Sequence, residues 1–219
     1  MVFRSTIKIG TAIRPHCPLC QLQTHRTIGN CSSSHEHQID INATNSFGWN
    51  ALISICYNFK SEILYDVIKI LLEAGIDVNH IDQNGNTALT IVCSQYKRDN
   101  LIDIVCLLVQ EYKINVKVQN SKGWDALFNL LYNYHGSNIL AIMKILLAAG
   151  SDVCCKTEDG WNSILALFSQ QYLNPDFFHM TRLLIEHKVD LKIKDPAGCN
   201  ALIFLCSNYK GEQLIEAIA

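Results

Sequence analysis

The chain has 219 residues, of which 49% are hydrophobic and 17% charged, and its formal net charge is −2. This share of apolar residues excludes a disordered chain, and the small net charge gives no support to binding of nucleic acid or of a membrane surface. No apolar run reaches the ~18 residues that span a bilayer, and the N-terminus lacks the apolar segment of a signal peptide. We therefore expect a cytoplasmic or nuclear protein with neither nucleic acid nor membrane as a partner.

Residues 1–38 are predicted to form a leader that is rich in cysteine and histidine. The candidate ligands of a zinc ion are Cys17, Cys20, Cys31 and His35, with His25 and His37 as alternatives to His35. Two thiolates at C-x-x-C spacing together with further sulfur and nitrogen ligands can close a tetrahedral zinc site. The alternative is a flexible leader with free thiols, favoured by a serine run and by weak apolar periodicity. We favour this second interpretation and expect no metal and no other cofactor.

Five similar copies of a five-residue motif follow the leader. Each copy begins with a glycine, and its third residue is polar. The glycines are Gly48, Gly85, Gly123, Gly160 and Gly198, at spacings of 37, 38, 37 and 38 residues. A fixed period of this size indicates a solenoid, in which each unit buries its apolar face by stacking on its neighbours. We number the repeats 1 to 5 from these glycines.

Each repeat predicts a turn followed by two helices. Residues that bond to their own backbone in turns stand three places before the glycines, at Asn45, Asp82, Asn120, Thr157 and Asp195. Good helix N-cap residues stand two places after them, at Asn50, Thr87, Asp125, Asn162 and Asn200. A second, apolar helix is followed by Gly75, Lys113, Gly150 or Lys188, where a left-handed residue would end it. A β-prone stretch then leads to the next turn.

This unit resembles the ankyrin repeat. The resemblance rests on DQNGNTAL at residues 82–89 and LLEAGIDVN at residues 71–79, and it covers roughly residues 39–219. It implies an all-α fold, an α-solenoid of stacked helix-turn-helix repeats with short β-hairpin fingers. About four full repeats plus a truncated fifth would occupy residues 39–219. Because the truncated repeat stops before its second helix is complete, a fragment of a larger ankyrin protein is an alternative reading.

The period is longer than the family's, which is about 33 residues. Comparison with the family places about four extra residues between the two helices of a repeat. We expect both helices to lengthen toward each other, with an aromatic residue packing the enlarged corner. This aromatic recurs at Phe59, Tyr96, Tyr134, Tyr172 and Tyr209.

The resemblance also implies binding of another protein through the finger tips and the concave face. The candidate partner-binding residues are Phe47, Trp49, Gln83, Asn84, Asn86, Lys122, Trp124, Glu158, Asp159 and Trp161. All three tryptophans of the chain fall in one column of the repeat, and tryptophan is enriched at interface hot spots. Two readings stay open: each indole packs on the adjacent finger, or the indoles contact the partner.

We expect a scaffold or adaptor rather than an enzyme. There is no glycine-rich phosphate loop and no G-x-S-x-G or H-E-x-x-H motif, so no small-molecule substrate is expected either. A zinc-binding module built on the leader is a weaker alternative. Equivalent positions in the first helices hold Cys56, Cys93 and Cys206, which we predict to be buried, unpaired thiols.

Overall fold

The computed structural model describes residues 39–171 and 173–208. Its helices are, in chain order, α1 (Ala51–Asn58), α2 (Leu64–Glu73), α3 (Ala88–Gln95), α4 (Leu101–Cys106), α5 (Ala126–Asn133), α6 (Ile139–Ala148), α7 (Ser163–Gln170), α8 (Phe177–Glu186) and α9 (Ala201–Asn208). A π-helical turn, Leu107–Glu111, continues α4. The odd-numbered helices, called inner helices below, stack in chain order. The even-numbered outer helices stack beside them, each against the inner helix of its own repeat. The predicted all-α solenoid is confirmed.

Each inner helix begins at the predicted N-cap. The cap side chain accepts the backbone N–H three residues further on, as Asn50 does from Ile53 at 2.9 Å. Thr87 adds a reciprocal bond, because the hydroxyl of Thr90 accepts the backbone N–H of Thr87. This satisfies N–H groups that a helix start otherwise leaves unpaired. Local polar chemistry therefore fixes where every inner helix starts.

The corner between the helices is a loop, so the expected lengthening of both helices is wrong. In repeats 1 to 3 five residues separate the inner from the outer helix, at 59–63, 96–100 and 134–138. The aromatic residue takes an extended backbone conformation directly after the inner helix, which ends the helix there.

Two of the corner aromatics join one repeat to the next. Tyr96 and Tyr134 are fully buried. The hydroxyl of Tyr96 lies 3.1 Å from the carbonyl oxygen of Ser61 in the preceding corner and 2.7 Å from Oδ1 of Asn100. Because buried hydroxyls need a hydrogen-bond partner, this contact fixes the spacing of adjacent corners. Phe59 is partly exposed, while Tyr172 and Tyr209 lie outside the described residues.

The two 38-residue repeats accommodate their extra residue in different places. In repeat 2 it lies in the outer helix, where the backbone N–H of Tyr112 bonds to the carbonyl of Leu107 and forms the π-helical turn. An inserted residue in a packed helix typically produces such a turn. In repeat 4 it lies in the corner, which runs over 171–176. The outer helices of repeats 2 and 4 end at the left-handed residues Lys113 and Lys188, as predicted.

We call the segments 45–49, 82–86, 120–124, 157–161 and 195–199 fingers 1 to 5. In each finger the first residue's backbone N–H bonds to the carbonyl of the fifth, as Asn120 does to Trp124 at 3.1 Å. Fingers 1 to 4 are joined to their neighbours by single backbone bonds, such as Ser121 N–H to Asn84 O at 2.8 Å. One bond per neighbour does not make a ladder, and no β-strand occurs in the described residues. The fingers are therefore turns rather than the expected β-hairpins.

The apolar core runs continuously through the stacked helices. Cys56 and Cys93 are buried in it, as predicted, and burial raises the pKa of Cys56 to about 12. The prediction is wrong for Cys206, which is exposed. Cys56 and Cys93 are covered by an outer helix and by the next inner helix. In the described chain no such helices follow α9, so Cys206 is not covered in this way.

Candidate functional site

A groove of about 420 Å³ opens between the fingers and the inner helices of repeats 1 to 3. Its lining comes from fingers 1 to 3 and from α1, α3 and α5. Five of the ten predicted partner-binding residues lie there: Trp49, Asn84, Asn86, Lys122 and Trp124. The stacking thus brings together residues that lie up to 75 positions apart in the sequence.

One wall of the groove is formed by Trp49 and Tyr57. Trp49 directly precedes the N-cap of α1, and Tyr57 lies two turns further along that helix; their ring centroids are 4.7 Å apart. Phe47, 61% exposed, packs on the other side of Trp49 at 5.6 Å. The indole Nε1–H of Trp49 is buried and finds no acceptor among the described residues. Lys60 places its ammonium 5.9 Å from the ring centroid of Tyr57.

Trp124 forms the opposite wall. It packs against Phe128 at 5.1 Å and Tyr132 at 5.5 Å between ring centroids, both on α5. These three aromatics follow a spacing of four residues, which puts them on one side of the helix. The ammonium of Lys122 lies 5.6 Å from the Trp124 ring, at cation–π distance.

The aromatic series continues beyond the groove into repeats 4 and 5. Tyr132 contacts Trp161 at 6.1 Å, and Trp161 contacts Phe204 at 5.2 Å. The three indoles are half-buried, and each contacts an aromatic ring of an inner helix. Packing on the adjacent finger and contact with a partner both stay predictions.

Repeat 2 provides a polar floor between the walls. Asn86 stands in the tryptophan column, and Ser94 stands where repeats 1 and 3 have Tyr57 and Tyr132. Asn86 is held in place because its Nδ2 donates to Asp82 and its Oδ1 accepts from Asn120 Nδ2. The missing bulk of two aromatic rings is what opens the groove at this repeat.

Several floor groups have spare hydrogen-bonding capacity. Within residues 39–171 and 173–208, the side chains of Asn84, Gln95 and Ser121 line the groove without a hydrogen bond of their own. Amide and hydroxyl groups offer both donors and acceptors. The floor can therefore bind polar groups of either kind.

The accessible charge of the groove is positive. Its only lining carboxylate in the described chain, Asp82, is 7% exposed. Both oxygens of Asp82 accept hydrogen bonds from Asn84 and Asn86. Lys122 is exposed, and Lys97 at the rim donates to the carbonyl oxygens of Ser94 and Asn133.

The other predicted site residues lie beside the groove rather than in it. Gln83 ties finger 2 to finger 1, since its Nε2 donates to the carbonyl of Ser46 at 3.0 Å. Glu158 and Asp159 are exposed on finger 4. Tyr57 was not predicted as a site residue. It follows Trp49 by eight residues, a spacing that places both on one side of α1. Tyr132 follows Trp124 at the same distance, so the repeated eight-residue spacing could have predicted Tyr57 from the sequence.

The predicted zinc ligands Cys17, Cys20, Cys31 and His35 lie outside the described residues. Among residues 39–171 and 173–208 no group of three or more His, Cys, Asp or Glu side chains is arranged to hold a metal ion. In the same part of the chain, no helix has the length and apolar character needed to cross a membrane.

Comparison with known proteins identifies the repeat. No curated protein matches the chain in sequence. Residues 25–120 match the family model for ankyrin repeats, in three copies. The structure carries the same turn, inner helix and outer helix beyond this match, through repeats 3 and 4 and into the inner helix of repeat 5. Residues 25–120 therefore carry ankyrin repeats, and the described chain continues the same repeat fold to residue 208.

Proposed function

We propose that the chain is a scaffold or adaptor that binds a partner protein through its fingers and the groove of repeats 1 to 3. Ankyrin repeats generally mediate binding to proteins, and the family is typically non-enzymatic. The observation that carries the proposal is the pair of aromatic walls, Trp49 with Tyr57 and Trp124, on either side of a polar floor. Aromatic anchors beside water-accessible polar groups are the composition of interface hot spots.

The proposed contact surface extends from finger 1 to finger 4. It consists of the ten predicted residues Phe47, Trp49, Gln83, Asn84, Asn86, Lys122, Trp124, Glu158, Asp159 and Trp161, to which the groove adds Tyr57. Helices that share one continuous core hold this surface, so little conformational entropy is lost when the partner binds. Affinity would come from the aromatic anchors, and specificity from the polar floor and the finger tips.

We assign the protein to the cytoplasm, with the nucleus as the alternative, and give it no catalytic step, no cofactor, and no nucleic acid, membrane or small-molecule partner. The support is the net charge of −2 together with the aromatic and amide lining of the groove. Nucleic-acid binding would instead need a concentration of positive charge.

Proximity labelling in cells tests the proposal with Trp124→Ala. Removing a hot-spot tryptophan costs 2 kcal/mol or more of binding, roughly a 30-fold loss of affinity. We expect one labelled protein to disappear in the variant, and the purified partner to bind it about 30-fold more weakly. Loss of the contacts with Phe128 and Tyr132 also lowers stability by about 1–3 kcal/mol.

Tyr65→Ala is the matched control. Tyr65 is a half-buried aromatic packed on the core, but it lies on the outer helix α2, away from the groove. The Tyr65→Ala variant should be less stable than the wild type but should still bind the partner. If both variants keep the partner, or both lose it in proportion to their melting temperatures, the groove is not the binding site.

A further inference from the structure

We infer that the groove of repeats 1 to 3 binds an acidic, extended segment of the partner, with two apolar side chains about five residues apart. The inference rests on the proposed function and adds the chemistry of the occupant. It draws on three observations: uncompensated positive charge, free amides on the floor, and the separation of the two aromatic walls.

The charge observation concerns three ammonium groups. Lys122 lines the groove, while Lys60 and Lys97 lie in the adjacent corners, against the groove residues Tyr57 and Ser94. Lys60, Lys97 and Lys122 form no ion pair with a carboxylate in the described chain, where the ion pairs involve Arg98, Lys156, His179 and Arg182. The carboxylate that lines the groove, Asp82, is buried and accepts three hydrogen bonds from Asn84 and Asn86. Acidic side chains on the partner would therefore meet unpaired cations, and basic ones would be repelled.

Burial lowers the pKa of both Lys60 and Lys97, and Lys60 contributes further to the lowering at Lys97. A lowered lysine pKa means that the surroundings disfavour the positively charged form of the lysine. A partner carboxylate placed nearby would relieve this cost. The two corner lysines, Lys60 and Lys97, thus favour an acidic occupant.

The floor favours an extended segment over a helix. Asn84, Gln95 and Ser121 offer unused donors and acceptors. An extended main chain presents free N–H and C=O groups to pair with them, whereas a helix has paired its own.

The walls set the spacing of the apolar anchors. Trp49 and Trp124 stand two repeats apart, and neighbouring packed helices lie about 8–10 Å apart, which gives about 16–20 Å between the walls. An extended chain rises about 3.3 Å per residue, so this distance spans about five or six residues. One anchor would pack on Trp49 and Tyr57, the other on Trp124, with an acidic residue beside the second to reach Lys122.

The test selects binders from a random peptide library displayed on phage, using the full chain as bait and peptides of about 12 residues, twice the span of the walls. We expect the selected peptides to be enriched in Asp or Glu and in apolar residues at the predicted spacing. Synthetic copies would then be titrated by fluorescence polarisation against the wild type, Lys122→Glu and Lys144→Glu. Lys144 is exposed on the outer helix α6, so its variant makes the same charge change away from the groove.

Lys122→Glu should weaken the affinity for the selected peptides about fivefold. A peptide whose acidic residue is changed to Lys should bind the Lys122→Glu variant with the affinity restored. Lys144→Glu should leave the affinity unchanged. Lys122→Gln provides a second variant should the charge reversal disturb folding. Peptides that require Trp124 but show no acidic preference and tolerate both Lys122 variants would overturn this inference and leave the proposed function standing. Peptides indifferent to Trp124 as well would count against both. A library that yields no binder also overturns the inference, while the labelling test still decides the proposed function.

Discussion

Asp125 stands at a helix cap where three other repeats have asparagine. Asn50 and Asn162 use their Nδ2–H to donate to the carbonyls of Asp77 and Asp190, at 3.3 and 3.0 Å. Asp125 is fully buried, and its Oδ1 accepts the backbone N–H of Phe128 at 2.7 Å. Its Oδ2 has no partner in the described chain. An ionised carboxylate has no proton to donate, so the bond that asparagine makes is lost.

Protonation would restore that donor. Burial raises the pKa of Asp125 to about 6, with a further contribution from Asp152 and an opposing one from the Phe128 N–H. The other titratable groups near it are Cys155 and Cys93, both with raised pKa values. Since the unfolded pKa is about 3.9, the folded state holds the proton more tightly. The stabilisation from protonation is therefore complete below about pH 4 and disappears as the pH rises through 6.

We predict that Asp125→Asn raises the free energy of unfolding at pH 7.5 by about 1–3 kcal/mol, because it supplies the missing donor. At pH 4 the gain should nearly vanish. Urea unfolding at both pH values measures the difference. Asn162→Asp is the converse change and should lower stability at pH 7.5 more than at pH 4. A gain for Asp125→Asn that is independent of pH would contradict the protonation argument.

At the scale of elements, the fingers depend on glycine where neighbouring backbones touch. Gly123 has φ +74°, and a Cβ there would lie 2.7 Å from the carbonyl oxygen of Lys156 and 2.9 Å from the Cα of Thr157. Both are backbone atoms, one just before finger 4 and one in its first residue, and they cannot rotate away as a side chain could. Gly75, at the end of α2, has φ +88° but no atom of the described chain within 4 Å of such a Cβ.

Comparing alanine variants of the two glycines distinguishes the cost of the left-handed backbone conformation from the cost of a steric clash. Gly75→Ala should cost about 1 kcal/mol, the left-handed penalty alone. Gly123→Ala adds a clash of about 1–3 kcal/mol and should weaken the bond between Glu158 N–H and Lys122 O, now 3.0 Å. Chemical denaturation of both variants gives the two losses. Equal losses would mean that the fingers separate freely and that their contact adds no stability.

At the scale of the whole molecule, every repeat depends on its neighbours. Leu130 on α5 is 0% exposed and lies between α3 and α7, whereas Leu205 on α9 is 1% exposed with α7 as its stacked inner helix in the described chain. In a solenoid stability is the sum of unit and neighbour terms, so the same lesion has different consequences at the centre and at the end.

Leucine-to-alanine changes in a core cost about 2–5 kcal/mol. Leu130→Ala should lower the melting temperature and accelerate amide hydrogen exchange in the central repeats. Leu205→Ala should accelerate exchange in α9 and leave repeats 1 to 3 protected, because in the described chain α9 has a stacked inner helix on one side only and can open locally. Faster exchange throughout the chain in Leu205→Ala would show that the stack unfolds as one unit.

The sequence by itself determined the features that arise within one repeat. The N-caps, the turn residues and the left-handed Lys113 and Lys188 were predicted correctly, because each depends on bonds or backbone angles within a few residues. Burial of Tyr96 and Tyr134 followed from their recurrence at one position of the unit. The period also determined that the units stack, since none can bury its apolar face alone.

Only the tertiary structure decided what arises between repeats. It placed the extra residues in corner loops rather than longer helices, and it put one of them in the π-helical turn of repeat 2. It left Cys206 exposed where its counterparts are covered. Above all it opened the groove, because a gap at Asn86 and Ser94 becomes a cavity only when the aromatics of repeats 1 and 3 stand on either side of it. Such features depend on which side chains face each other across the stack, and a repeat read in isolation does not contain that information.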